Sequence, residues 1–387
     1  MRRALVIGGT GLIGTAVARR LLAAGWHVDL TGRDPAHMPA SLAAAGARFI
    51  TADRSDPGLL AVAGEGADLI ADCLCYTAAD AASLVPVARA ARSTVMISSN
   101  AVYVDAAGHH SNSDVPPHFA GPVREDQPTA TPSAGADYQS REGYAACKVA
   151  AEQVLLDSGA PVTVLRLGKV HGPRAARPRE WVFVKRVLDG RPAVFLARRG
   201  AGVAQTVAAD NVAALVETVA EKPGRRILNS ADPDAPSALE IARTIAGLLG
   251  HSWEEILLDA PSDPDGTAGP ASTAGAAAPA STAAPASTAG PASTASTANA
   301  ASTANAALGR HPWDTMFPIV LDMTAALNLG YVPAGSYATT VAAEVEWLTS
   351  AAAGHEGDRA LTWLSDPFFA PFLDYAREDR YLAERAS

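Results

Sequence analysis

The chain has 387 residues, a formal charge of −9 and 48% hydrophobic residues. That length exceeds one ordinary domain and predicts two, with a core of real size. The acidic balance disfavours a nucleic-acid or anionic-membrane surface, which needs a concentrated basic patch, and no apolar run reaches the roughly 18 residues of a membrane span. Cys73, Cys75 and Cys147 are too few and too closely spaced for a disulfide framework or a zinc knuckle, so they read as reduced thiols in a cytoplasmic protein.

In chain order, the first 100 residues alternate short apolar runs with helical patterns. "RALVIGG", "HVDLTGR", "ARFITAD", "ADLIADCLC" and "STVMISS" read as strands, and "TAVARRLLAAG" reads as a helix. This alternation predicts βαβ units and an α/β fold, a Rossmann-type doubly wound parallel sheet. A helix beginning near Tyr144 is followed by another strand, "PVTVLRLGKV", and further helices are expected at 180–189, 208–221 and 237–249. Residues 259–308 carry a Pro/Ala/Ser/Thr repeat with no large apolar side chain before Leu308, which cannot offset the entropy of ordering and predicts a disordered surface insertion. Folded sequence resumes at "HPWDTMFPIVLDMTAALNLGYVP".

The expected division is therefore a dinucleotide-binding domain at 1–178, to which some later segments return, and a smaller substrate domain at 179–258 and 309–350. A C-terminal helical extension follows at 351–387, and its "DPFFAPFLDYAREDRYLAER" reads as one amphipathic helix with its aromatics packed on the body. Trp181 and Trp253 are expected in the core or pocket wall of the substrate domain.

"VIGGTGLIG" places Gly8, Gly11 and Gly14 three apart between a strand and a helix. Glycines there permit a tight turn and the close approach of a pyrophosphate to free N–H groups at a helix N-terminus. Gly8, Thr10, Gly11, Leu12, Ile13 and Gly14 are the candidate pyrophosphate cradle. At the end of the second strand, NAD sites place an acid on the ribose hydroxyls and NADP sites accommodate a phosphate. Counting from Gly14, that position is Gly32, followed by Arg33, which favours NADP(H) over NAD(H); Asp29 and Asp34 stand as alternative ribose acceptors. Asp53, with Arg54 beside it, closes the third strand and reads either as a partner for the adenine amino group or as a helix cap before Pro57.

"YAACK" sets Tyr144 and Lys148 four residues apart, on one face of a helix. A phenol exchanges protons near neutral pH only when its phenolate is stabilised, which a neighbouring ammonium does, and such a lysine also reaches a nicotinamide ribose. Ser98 and Ser99 end the fifth strand, at the sheet edge where α/β folds bind ligands.

The Gly-x-x-Gly-x-x-Gly turn, "SSNAVY", Tyr-x-x-x-Lys and "RLGKVHGP" in that order resemble the extended short-chain dehydrogenase/reductases, the NAD-dependent epimerase/dehydratase family. The similarity covers residues 3–258 and resumes in "IVLDMTAALNLGYVP". It implies Ser99 as the residue that polarises the substrate oxygen, Tyr144 as the acid/base, Lys148 as its partner and Ser98 as a hydroxyl near the nicotinamide. It also implies a homodimer through the Tyr144 helix.

Two positions depart from the family pattern. Where relatives acting on nucleotide sugars have an asparagine and a diphosphate-binding arginine, this chain has Lys169 and Ala204. The long segment between Tyr103 and Tyr144 is expected to shape the substrate pocket. Its His109, His110 and His118 read as solvated side chains, not metal ligands, and His171 as a packing residue. The leading functional reading is an NADPH-dependent carbonyl reductase acting on a small or secondary metabolite. The alternatives are a nucleotide-sugar epimerase or dehydratase that retains NAD, and a non-catalytic NADP(H) sensor.

Overall fold

The computed structural model describes residues 2–259, 308–354 and 366–387. Apart from its two end residues, the repeat expected to form a disordered insertion lies outside the described residues. So does the segment 355–365 of the C-terminal extension.

Strands β1 (Arg3–Ile7), β2 (His27–Gly32), β3 (Arg48–Thr51), β4 (Leu69–Asp72), β5 (Ser93–Ser99), β6 (Val162–Leu167) and β10 (Arg226–Ser230) form a seven-stranded parallel sheet. Its order is β10-β6-β5-β4-β1-β2-β3, so the winding reverses between β1 and β4. The remaining strands form two parallel pairs, β7 (Lys169–His171) with β9 (Thr206–Ala208) and β8 (Ala193–Leu196) with β11 (Glu254–Leu257).

Side-chain alternation splits the sheet's two faces between two helical layers. Along β1, Ala4 and Val6 join the core formed by α1 (Leu12–Ala23), α2 (Ala40–Ala44) and α7 (Ala209–Glu221). Leu5 and Ile7 join the opposite core, under α3 (Pro57–Gly64), α4 (Ala78–Ala90) and α5 (Arg141–Asp157). Both faces are covered, so the strands read as continuous apolar runs. Helix α7 and strand β10 lie beyond residue 178 in sequence, and both return to this sheet.

A separate core joins α6 (Trp181–Leu188), α8 (Ala238–Leu248) and α10 (Tyr337–Ala352) around Trp181, Phe183 and Trp313. Trp253 packs half-buried at its edge. The segment after the repeat does not stay with this core. Trp313 belongs to it, whereas Ala326 of α9 (Thr324–Asn328) and Tyr331 pack in the sheet's core, and the chain then crosses back at Tyr337.

The C-terminal extension is not one helix. Pro367–Phe372 forms a 3-10 turn started by Asp366 and Pro367, and α11 (Tyr375–Ala386) begins afresh at the Asp374 cap. The break buries Phe368, Phe369 and Phe372 in the second core, where a stiff amphipathic helix could present only one stripe. A buried ion pair, Arg186 to Glu378 at 2.5 Å, fixes α11 to α6.

Candidate active site

The turn after β1 stands where the sheet's winding reverses, the place at which open α/β sheets bind ligands. Gly8 takes φ +77°, and its carbonyl accepts a hydrogen bond from Gly11 N at 3.1 Å. A Cβ on Gly14 would collide with that carbonyl, so close packing of helix on turn requires glycine there. At Gly11 a Cβ would meet only Gly8 O, at an ordinary 3.5 Å. The fold itself tolerates a side chain at Gly11, so its packing does not call for glycine and the space beside it is open to a group from outside. Helix α1, which carries Leu12, Ile13 and Gly14, begins with no side-chain cap and no acid in its first turn. Its free N–H groups and positive end suit a phosphate, so these residues, with Thr10 beside them, fit a dinucleotide.

At the ribose end, a Cβ on Gly32 would lie 3.0 Å from the tip of the half-buried Phe49 ring, so a side chain there would need the ring to give by a few tenths of an ångström. Asp29 is buried and held by Arg3 Nε at 2.6 Å and Arg48 Nε at 2.7 Å. Burial pushes its pKa up, but these two guanidiniums win and hold it below the usual range. Asp34 caps a 3-10 turn through Ala36 N at 2.9 Å. Both alternative acids are therefore engaged, while Arg33 is exposed. Asp53 is exposed, accepts from Ser55 N and Oγ at 2.8 and 2.7 Å, and is further lowered in pKa by Arg33. It is not the helix cap: Asp56 caps α3, accepting from Gly58 N and Leu59 N. Arg54 turns its guanidinium into the protein, onto Asp72 Oδ2 at 2.6 Å and Asp80 O at 2.9 Å.

At the C-terminal edge, α5 starts at a Ser140 cap. A Cβ on Gly143 would collide with Asp137 O, so glycine lets the preceding loop fold tightly on the first turn. Tyr144 is thereby enclosed, 4% exposed, next to Ser99 at 3%. Burial raises the Tyr144 pKa, and the hydrogen bond with Ser99 is the one influence pulling it down. The phenol is neutral at physiological pH. Lys148 is equally enclosed, and its Nζ donates to Cys75 O at 2.7 Å and Ile97 O at 2.9 Å. Burial lowers its pKa. Its two hydrogen bonds thus go to backbone carbonyls, and it shares the buried face of α5 with Tyr144. Ser98 points to the other face and donates to Glu152 Oε1 at 2.5 Å; Glu152 is gripped in turn by Arg166 at 2.6 Å. Its hydroxyl is engaged with Glu152 in the interior, one residue before Ser99.

The long segment between Tyr103 and Tyr144 is organised by Asp105, which accepts from the backbone N–H groups of Ala107, His109 and His118, each at 2.9 Å. Its histidines do not converge. His109 faces Asp105, His110 Nδ1 accepts from Asn112 N, and His118 stacks on Phe317. His171 is more than packing, since its Nε2 meets Asp232 Oδ2 at 3.1 Å. Burial opposes its charge, but Asp232 prevails and raises its pKa. Glu344 lies nearby with its pKa driven well up by burial and by Glu180. No motif signals this cluster, because Glu344 and Asp232 reach His171 from distant parts of the chain. Lys169 lies beside Arg179 and Glu180, and burial pushes its amine down to about 7. Ala204 is buried in a bridge to Ile319, with no charge in the place of the family's arginine.

A dinucleotide-type turn and an enclosed Ser-Tyr-Lys set at one sheet edge define an NAD(P)-dependent enzyme of the short-chain dehydrogenase/reductase type. The chain belongs to the NAD dependent epimerase/dehydratase family, whose model matches residues 4–230. It is 31% identical over 239 residues to the 2'-dehydrokanamycin reductase of Streptomyces kanamyceticus, a match covering 58% of this chain and 60% of that protein. In fold it is similar to the UDP-glucose 4-epimerase of Thermus thermophilus in complex with NAD, with a TM-score of 0.58 and 18% identity over 90% of this chain and 99% of that one. The dTDP-glucose 4,6-dehydratase of Bacillus anthracis in complex with NAD aligns with a TM-score of 0.60 and 14% identity, over 93% of this chain and 100% of that one. Among the described residues, no helix is long and apolar enough to cross a membrane.

Proposed function

We propose that the protein is an NADPH-dependent carbonyl reductase acting on a ketone of a small, polar secondary metabolite. The observation that carries this reading is the enclosed, neutral Tyr144 phenol on Ser99, poised as a proton donor. When bound, the nicotinamide cofactor supplies the hydride for the carbonyl carbon. Ser99 donates a hydrogen bond to the carbonyl oxygen, and Tyr144 gives that oxygen its proton as charge develops there. Lys148 stays on the two carbonyls with a third N–H left for a ribose hydroxyl. Burial of the pair keeps water from competing for the proton.

Arg33, with Asp29 and Asp34 both engaged elsewhere, supports the phosphorylated cofactor. Ala204, without charge, disfavours a nucleotide-diphosphate substrate. The printed activity of the 31% identical relative makes ketones of oxidised aminoglycosides the first substrates to try. The epimerase or dehydratase reading rests on family membership and on likeness of fold, with no residue of the site that favours it over reduction. The test is to incubate the purified protein with NADPH and a panel of such ketones and to follow loss of NADPH. Ketone-dependent oxidation of NADPH supports the reading; interconversion of nucleotide sugars without added cofactor contradicts it.

A further inference from the structure

The loop from Cys73 to Thr77 leaves β4 at the point where the sheet's winding reverses, and it is clamped at both ends. Asp72 Oδ1 accepts from Leu74 N at 2.8 Å, and Asp80 Oδ2 accepts from Tyr76 N and Thr77 N at 3.0 and 2.9 Å as part of the α4 capping box. Arg54 ties the two clamps together through Asp72 Oδ2 and Asp80 O. The loop spans the site. Leu74 lies against Gly8 of the glycine turn, and the next two residues lie against Lys148.

Lys148 Nζ sits 4.3 Å from the centroid of the Tyr76 ring, while donating to Cys75 O and Ile97 O. Tyr76 is backed on its own side by Tyr138, with ring centroids 5.3 Å apart. The groups whose charge reaches Lys148 are Cys75 and Asp72 of the β4 end, Asp80 of α4 and Glu152 of α5. Of these, Asp72 is matched by Arg54 and Glu152 by Arg166, and burial keeps the Cys75 thiol protonated. Asp80 in turn faces Arg54 at 3.9 Å, so each carboxylate that reaches Lys148 is shared with an arginine, and the negative face of the Tyr76 ring adds stabilisation to the enclosed ammonium.

We propose that Tyr76 is a positioning residue of the reaction, its ring holding the Lys148 ammonium charged and fixed on the carbonyls of Cys75 and Ile97. It acts through the ring and not the hydroxyl, so phenylalanine should serve and an aliphatic side chain should not. The proposal rests on the reading of Lys148 as part of the catalytic machinery, but its first test does not depend on turnover.

The chain has four lysines, which makes each resolvable by NMR of protein labelled at the lysine ε-carbon. Lys148 is assigned by its loss in Lys148→Arg, and its amine is titrated in the cofactor-free full chain. In Tyr76→Leu and the milder Tyr76→Met the Lys148 titration should fall by about one pH unit, whereas in Tyr76→Phe it should stay near that of the parent. An unchanged titration in the aliphatic variants overturns the proposal, as does a fall in Tyr76→Phe equal to theirs. With substrate in hand, the aliphatic variants should lose about tenfold in kcat with little change in KM, and Tyr76→Phe should recover it. A loss confined to KM would place Tyr76 on the substrate and overturn a positioning role.

Discussion

Gly11 and Gly14 look alike in sequence and differ in what requires them. Gly14→Ala pushes a methyl into Gly8 O and should destabilise the fold by about 1–3 kcal/mol, read as a lower thermal midpoint. Gly11→Ala should keep that midpoint and lose cofactor affinity in a titration. Equal destabilisation by both would contradict the assignment of Gly11 to the ligand. At the ribose end, Arg33→Ala should weaken NADPH binding by about 10- to 100-fold and NADH binding little, the scale of charge-assisted hydrogen bonds. Equal loss for both cofactors would remove Arg33 from phosphate recognition. Tyr144→Phe should reduce turnover about 100-fold or more while cofactor binding is retained, the usual weight of a general acid. At this scale the sequence located the candidate residues but not their partners. Spacing alone put Tyr144 and Lys148 on one helix face, whereas the carbonyls that hold Lys148 come from the loop after β4 and from β5. The same limit hid the engagement of Asp29 and the inward turn of Arg54 and Ser98, because each depends on a side chain distant in sequence.

At the scale of elements, Asp232 joins what the sequence leaves separate. It accepts from Thr206 Oγ1 of β9 at 2.6 Å, from Ala208 N at 2.7 Å, from Asn211 Nδ2 of α7 at 2.7 Å and meets His171 of β7 at 3.1 Å. Removing it leaves buried donors unsatisfied and His171 unpaired, so Asp232→Ala should cost about 3–5 kcal/mol in a denaturant melt. The pair also has a defined pH dependence. The raised pKa of His171 means that its contribution is complete below its unfolded value near 6.5 and is lost as pH rises through the folded value. The lowered pKa of Asp232, which burial opposes and His171 brings about, gives the opposite limb: complete above about 3.9 and lost as pH falls through its folded value. The difference in thermal midpoint between the parent and His171→Gln should therefore narrow as pH is raised from about 6 toward alkaline values; a constant gap would contradict a charged His171. Periodicity revealed the strands and helices of the parallel sheet because each buries a continuous face. It did not reveal that the C-terminal segment breaks after Phe372, where burial of three phenylalanines outweighs a straight helical stripe.

At the scale of the molecule, two cores share one chain that passes between them more than once. The sheet carries the glycine turn and the Ser-Tyr-Lys set, and α10 of the second core meets the end of β7, with Tyr337 against His171 and Glu344 accepting from Gly172 N. Leu308 packs with Phe195 and Ile256, but the composition of 260–307 offers no large apolar side chain to any core, so halving that repeat should leave thermal midpoint and cofactor affinity unchanged; loss of either would assign it a structural role. The proposed reduction requires an exchangeable NADPH and not a retained NAD. The most direct measurement is to purify the protein without added cofactor, denature it, identify any released nucleotide, and titrate the stripped protein with NADPH and NADH. A reductase of this kind should emerge empty and bind NADPH reversibly and more tightly than NADH. NAD released in near-stoichiometric amount, or a preference for NADH, would contradict it.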